Sequence, residues 1–381
     1  MKLVQVLPCR KLALQRLVRW RVILAMILTS VVLVVIIQFF IKEKPHLELE
    51  EILDNIVPKK SSSSVLRRSV TLYHRNNTFY LNLSMYSWQY QGLQEYRCQT
   101  FIDLSEYCQT SDPLIILAVK SHPASSERRI ILRHTWAQER RILEYRFLPV
   151  FLLANSGHRV EMESLVAESS FYGDIILWNF MESHHNLSLK EHCFLEWLQY
   201  RCPEAKYILK ADDDEFVNPH SLVSYISTSV KKFPLQVHGF CQSRCPVEHW
   251  GKYGIPFSVF PYDFYPPFVS GGGMLYSAEL VPSLLNASST IPVFPLDDVY
   301  FGLLALAANI SFHHDLRFRS FGLKSTKICR FRDVLVVHGL SNHQMQEVWD
   351  ALPYSYPCPP SRKEKQEYDR KVKSVQESDS G

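Results

Sequence analysis

The sequence predicts an α/β protein: an open, largely parallel sheet flanked by helices and preceded by a single membrane-spanning helix. Two observations carry that reading. Between Leu114 and Leu209, continuous apolar runs alternate with amphipathic stretches, the arrangement of buried parallel strands joined by helices. Val22 to Ile41 is a run of twenty residues without a charge; as a helix rising about 1.5 Å per residue it would cover roughly 30 Å, the thickness of a bilayer core. With 46% hydrophobic and 21% charged residues over 381 positions, the composition is that of a globular chain and not of a disordered one.

Residues 1–21 hold six Lys/Arg and no acid, whereas the remainder carries 36 basic against 38 acidic residues. The basic end is expected in the cytosol and the body in the lumen. A near-neutral body gives no electrostatic footprint for nucleic acid. A cleaved signal peptide has a shorter apolar region, about 7 to 15 residues ending at small side chains; here Phe39-Phe40-Ile41-Lys42 closes the run, so 22–41 reads as a retained signal anchor. Residues 42–112 contain Pro45, Pro58 and Ser61 to Ser64 without a sustained period, and read as a stem whose aromatic stretch, Tyr86 to Tyr96, is available to pack on the main domain. Residues 113–360 form that domain, and 361–381 a polar tail.

Within the main domain, Leu114 to Val119 is the first strand and Glu127 to Trp136 a helix. A second strand, Leu148 to Ala154, precedes a helix at Val160 to Ser169, where Met162, Leu165 and Val166 share a face. Gly173 then leads into the strand Asp174 to Leu177. Ser188 to Glu191 has the capping-box pattern, opening a helix that buries Leu189, Cys193, Trp197 and Leu198 and stops at Cys202-Pro203. Tyr207 to Leu209 is the fourth strand.

Five of eleven asparagines begin an N-x-[ST] sequon: Asn76, Asn82, Asn186, Asn286 and Asn309. They are candidate glycosylation sites in a luminal domain. Eight of nine cysteines follow the anchor, an even set suited to disulfides whose pairing the sequence does not give. Cys241, Cys245 and His249 lack a fourth ligand at zinc spacing.

Directly after the fourth strand stand Asp212, Asp213 and Asp214, followed by Asn218-Pro219 as cap and first residue of a helix. In an open α/β sheet the carboxyl ends of the strands face the ligand crevice. Three adjacent carboxylates repel unless a cation or donors compensate them, and a hard divalent ion with oxygen ligands does so. Such a site serves hydrolysis, phosphoryl transfer or departure of a nucleoside diphosphate equally well. The sequence has neither a P-loop nor a Gly-x-Ser-x-Gly elbow.

Five ordered motifs then narrow the choice. Arg128-Arg129 with Arg133-His134-Thr135-Trp136, Asn186-Leu187-Ser188-Leu189-Lys190, Lys210 to Asn218, Tyr265-Pro266-Pro267 with Ser270 to Gly273, and Phe294 to Tyr300 resemble, in order, those of the β1,3-glycosyltransferase family. The likeness spans Pro113 to Trp349, roughly 60% of the chain. Asp297-Asp298, the triple glycine and Val337-His338 look most like the β1,3-N-acetylglucosaminyltransferases. The resemblance implies a GT-A fold with a Rossmann-like mixed sheet, a type II Golgi membrane enzyme, a UDP-sugar donor, UDP-GlcNAc by preference, and Mn²⁺.

By the same resemblance Asp214 and His338 are metal ligands, Asp212 and Asp213 lie on the donor side, and Arg129 and Arg133 bind UDP. Lys190 contacts either the diphosphate or the acid cluster. Asp298 is the catalytic base and Asp297 an acceptor contact. Tyr265 stacks on an acceptor ring, and Gly271, Gly272 and Gly273 let the backbone approach sugar. The histidine pairs His184-His185 and His313-His314 are read as surface residues. Departures from the pattern are Ala137, His184-His185 and Glu215, the last making four acids in succession. The expected reaction is inverting transfer of GlcNAc to a galactose-terminated glycan. A β1,3-galactosyltransferase, an inactive glycan-binding relative and a metal-dependent phosphohydrolase are the alternatives, and the acceptor class and any oligomer stay open.

Overall fold

The computed structural model describes residues 69–104, 108–323 and 328–352. The expected cytosolic tail, membrane helix, first part of the stem and polar C-terminal tail lie outside the described residues. No helix among those described is long and apolar enough to cross a membrane.

The described residues begin with a hairpin, β1 (Ser69–His74) and β2 (Asn77–Asn82), then short helices α1 (Leu83–Gln89) and α2 (Gln91–Gln94) and strand β3 (Thr100–Ile102). Next come β4 (Leu114–Lys120), α3 (Ser126–His134), β5 (Arg140–Ile142), β6 (Tyr145–Asn155), α4 (Arg159–Tyr172), β7 (Ile175–Met181), α5 (Leu187–Arg201) and β8 (Ala205–Asp212). The second half holds β9 (Phe216–Val217), α6 (Pro219–Tyr225), β10 (Gln236–Gln242), β11 (Phe268–Ser277), α7 (Val281–Ser288) and α8 (Asp297–Ala307). It closes with β12 (Ser311–His314), β13 (Phe318–Arg319), β14 (Val336–Val337) and α9 (Asn342–Ala351).

The main sheet runs β12-β10-β11-β8-β4-β6-β7-β3, with β5 beside β6. Its centre, β8-β4-β6-β7, is parallel, as the alternating pattern implies, whereas β11 and β3 pair antiparallel at its margins. β4 is buried along its whole length. Leu114, Ile116 and Ala118 join one core, and Ile115, Leu117 and Val119 the other, so both faces are covered and every position is apolar until Lys120.

Residues 69–104 are not a separate stem. Leu72, Phe79, Leu81, Tyr86 and Leu93 enter the core, and β3 pairs with β7. Disulfides Cys98–Cys193 and Cys108–Cys202 fasten this region to α5 and its C-cap. Elements of three to seven residues are too short to display a period, so the boundary expected at residue 113 falls inside the folded unit. Cys329 is also disulfide-bonded, but Cys241 and Cys245 are free, so the eight cysteines expected to pair are not all paired.

The expected capping box is also absent. α5 starts one residue after Asn186, leaving Ser188 and Glu191 inside the helix and buried, where the Glu191 carboxylate pairs with the Lys210 ammonium of β8. α6 opens as expected: the Asn218 side chain accepts from the Ser221 N–H, and Pro219 stands at the first position.

Candidate active site

The carboxyl ends of β4 and β8 meet in register, Lys120 beside Asp212. There a cleft of about 770 Å³ opens, closed on its other side by the N-terminus of α8, by Gly271 of β11 and by the 243–267 connection. Asp212, Asp213 and Asp214 line it, together with Lys190, Tyr265, Asp297, Asp298 and His338. Residues far apart in sequence thus converge as the motifs imply.

A small ribbon aligns the acids with His338. β9 pairs antiparallel with β14, and the Leu340 N–H donates to the Asp214 carbonyl at 2.8 Å, which leaves His338 Nε2 3.6 Å from Asp214 Oδ1. A turn closed by the Glu215 N–H on the Asp212 carbonyl, 3.2 Å, brings Glu215 to the same side. Ligand atoms of Asp212, Asp214, Glu215 and His338 all lie within 4.8 Å of one another. Glu215 is fully buried, and neither carboxylate oxygen has a hydrogen-bond partner. Burial first, and then Asp212, push its carboxyl well above the usual range. Three carboxylates and an imidazole form an oxygen-rich donor set, and the residues fit a divalent cation such as Mn²⁺. Cys98, His192 and Glu196 also converge, but the Cys98 sulfur is committed to its disulfide.

At the opposite wall Asp297 and Asp298 occupy the first turn of α8, where the helix dipole favours negative charge. Their environments diverge. Burial alone would raise Asp297, but the charges of Lys120 and Lys210 outweigh it and hold its carboxyl at about 2. Asp298, buried and next to that charge, is pushed up to about 7, although it accepts from the Val299 N–H at 2.8 Å. The Gly271 amide also favours its charged form.

Lys120, which sequence reasoning missed, links the two walls. Its buried ammonium donates to Asp297 Oδ2 at 2.5 Å and lies 3.0 Å from Asp212 Oδ1. The only signal is a lysine ending an apolar strand. Lys190 lines the cleft without contacting the aspartate triplet: its ammonium donates to the Ser121 carbonyl and pairs with Glu182, both at 2.7 Å. Ser121 Oγ in turn donates to Asp213 Oδ2 at 2.8 Å.

Several expected contacts fall elsewhere. Arg129 and Arg133 do share a face of α3, but that face is turned inward: Arg129 binds Glu168 and the His122 and Pro123 carbonyls, and Arg133 binds Glu168 and Asp174. Neither lines the cleft; Arg128, half-exposed, reaches Asp213 at 3.4 Å instead. Of the three glycines only Gly271 borders the cleft. A Cβ on Gly272 would stand 2.6 Å from the Ser320 Cα, and one on Gly273 2.8 Å from the Val336 side chain, so these two admit the protein's own backbone and not a sugar. The Tyr265 ring is packed among Phe260, Phe268 and Phe294, which removes its faces from stacking on a ligand. His184, read as a surface residue, lines the cleft, and His313 packs against the buried His238. Asn76, Asn286 and Asn309 are exposed; Asn82 and Asn186 are half-buried at helix N-caps.

Comparison with known proteins agrees with this arrangement. The profile of the family described as Galactosyltransferase matches residues 127–316. The mouse acetylgalactosaminyl-O-glycosyl-glycoprotein beta-1,3-N-acetylglucosaminyltransferase (Mus musculus) is 29% identical over 86% of this chain and 90% of its own. The rat UDP-GlcNAc:betaGal beta-1,3-N-acetylglucosaminyltransferase 7 (Rattus norvegicus) is 30% identical, over 76% of each chain. The beta-1,3-galactosyltransferase 5 of Pan paniscus is also 30% identical, over 64% of this chain and 82% of its own. With relatives of this identity aligned over most of their length, and four of the five ordered motifs meeting in one cleft, the chain belongs to the galactosyltransferase family of β1,3-glycosyltransferases.

Proposed function

We propose that the protein is an inverting β1,3-N-acetylglucosaminyltransferase with a GT-A fold, moving GlcNAc from UDP-GlcNAc to the 3-hydroxyl of a terminal galactose on a glycoprotein or glycolipid glycan. One observation carries this reading: a single cleft sets Asp298, with a carboxyl near neutral pKa, across from the Asp212, Asp214 and His338 cluster. The names of several relatives specify GlcNAc as the sugar.

Asp214 and His338 would hold a divalent cation, which when bound supplies positive charge to the departing diphosphate. Asp298 accepts the proton of the acceptor hydroxyl as that oxygen bonds to C1 of the sugar. The bond from C1 to the diphosphate breaks on the opposite face, so an α-linked donor gives a β-linked product. A base pKa near the working pH suits that transfer. Asp297, held ionised by Lys120, remains an acceptor through its free lone pairs and keeps Asp298 basic through repulsion. Lys120 ties this wall to Asp212, so donor and acceptor sides share one rigid support.

Incubation of the purified full chain with UDP-GlcNAc or UDP-Gal and a galactose-terminated acceptor tests the donor. A GlcNAcβ1,3Gal product with UDP-GlcNAc supports the reading; turnover with UDP-Gal alone replaces it with a β1,3-galactosyltransferase, the activity named for one relative. The same proposal places the protein in the Golgi membrane with its N-terminus cytosolic. The basic 1–21 segment, the uncharged 22–41 run and the five sequons support it. Insensitivity of the expressed chain to peptide-N-glycosidase would contradict the luminal placement.

A further inference from the structure

We propose that Glu215 is a direct carboxylate ligand of the divalent cation, alongside Asp214 and His338. The proposal rests on reading the cleft as a metal-assisted transferase site. Asp212, Asp214 and His338 border the cleft, whereas Glu215 has no exposed surface and lies beneath them. Its position is fixed from two directions. The Trp136 indole N–H donates to its backbone carbonyl at 2.8 Å, and its own N–H closes the turn on Asp212.

The surrounding protein satisfies the side chain poorly: both oxygens are buried without a well-formed hydrogen bond, and the Asp212 amide and the Lys120 charge, which favour the carboxylate, are outweighed by burial and by the neighbouring acids. A carboxylate so placed is costly unless a positive charge or donor meets it. No lysine or arginine pairs with it among the described ion pairs; Lys120 is engaged by Asp212 and Asp297, and Lys210 by Glu191. The side chain instead points its oxygens into the group of ligand atoms lying within 4.8 Å of one another. Two ligands of one ion, with bonds of about 2.1 to 2.5 Å, stand no more than about 5 Å apart. The spacing therefore suits one shared ion, and the same ion would relieve the repulsion between Glu215 and its neighbouring aspartates.

The test is Mn²⁺ binding to the purified full chain, followed by the electron paramagnetic resonance signal of free Mn²⁺, with and without UDP. Wild type is compared with Glu215→Gln and Glu215→Val. We expect both variants to bind Mn²⁺ at least about tenfold more weakly, the loss that removing even a supporting residue commonly causes. Melting curves in EDTA supply a second readout: Glu215→Val is expected to melt no lower than wild type, while the upward shift given by Mn²⁺ shrinks. Unchanged Mn²⁺ affinity in the folded variants overturns the proposal. So does absence of Mn²⁺ binding by the wild type. If Mn²⁺ binding depends on Glu215 but UDP-GlcNAc is neither bound nor turned over, the ligand assignment stands and the transferase reading falls.

Discussion

Asp297 and Asp298 are adjacent in sequence yet titrate in opposite directions: Lys120 contacts Asp297 directly, whereas at Asp298 its more distant charge is outweighed by burial and by Asp297. The sign of the pH dependence follows. A general base works deprotonated, so kcat/KM should rise as pH increases through about 7. Asp297→Asn removes a negative neighbour and should move that midpoint down; Lys120→Met removes a positive one and should move it up. Midpoints that shift the same way in both variants would contradict this electrostatic division. The two aspartates were legible in the sequence from their motif, but Lys120 was not, since a lysine ending a strand shows no partner until β4 and β8 are in register. Arg129 and Arg133 were misplaced for a related reason: helical spacing gives a shared face, but not which way that face turns.

At the scale of elements, α8 must seat its first turn against β11 for Asp298 to face the cleft. Gly302 permits that approach: a Cβ there would stand 2.5 Å from the Phe268 Cβ and 3.3 Å from its Cα. Gly302→Ala should destabilise the fold by about 1–3 kcal/mol through overpacking, with a lower Tm in calorimetry and a reduced kcat. An unchanged Tm would mean that helix and strand are more loosely packed than they are here. The central strands could be read from the sequence because burial on both faces makes each position apolar. The triple glycine could not be read fully, since only packing distinguishes Gly271, facing the cleft, from Gly272 and Gly273, which face Ser320 and Val336.

For the molecule as a whole, residues 69–104 contribute a strand, core side chains and Cys98 to the domain, although their sequence carries no sustained period. Replacing Cys98 and Cys193 by Ser opens a loop spanning 95 residues and should cost about 2–5 kcal/mol of stability, measured by thermal unfolding without reductant. Stability equal to wild type would return this region to the role of an independent stem. The central claim is that one cleft joins a nucleotide-sugar site to a base, Asp298. Acceptor-dependent UDP release by the full chain with UDP-GlcNAc, compared with Asp298→Asn, tests it most directly. We expect turnover that EDTA abolishes, a loss of about 10²- to 10⁴-fold in the variant, and UDP binding retained by both proteins. Equal turnover in wild type and variant would contradict the assignment of the base, and a wild type that binds no UDP would contradict the site itself.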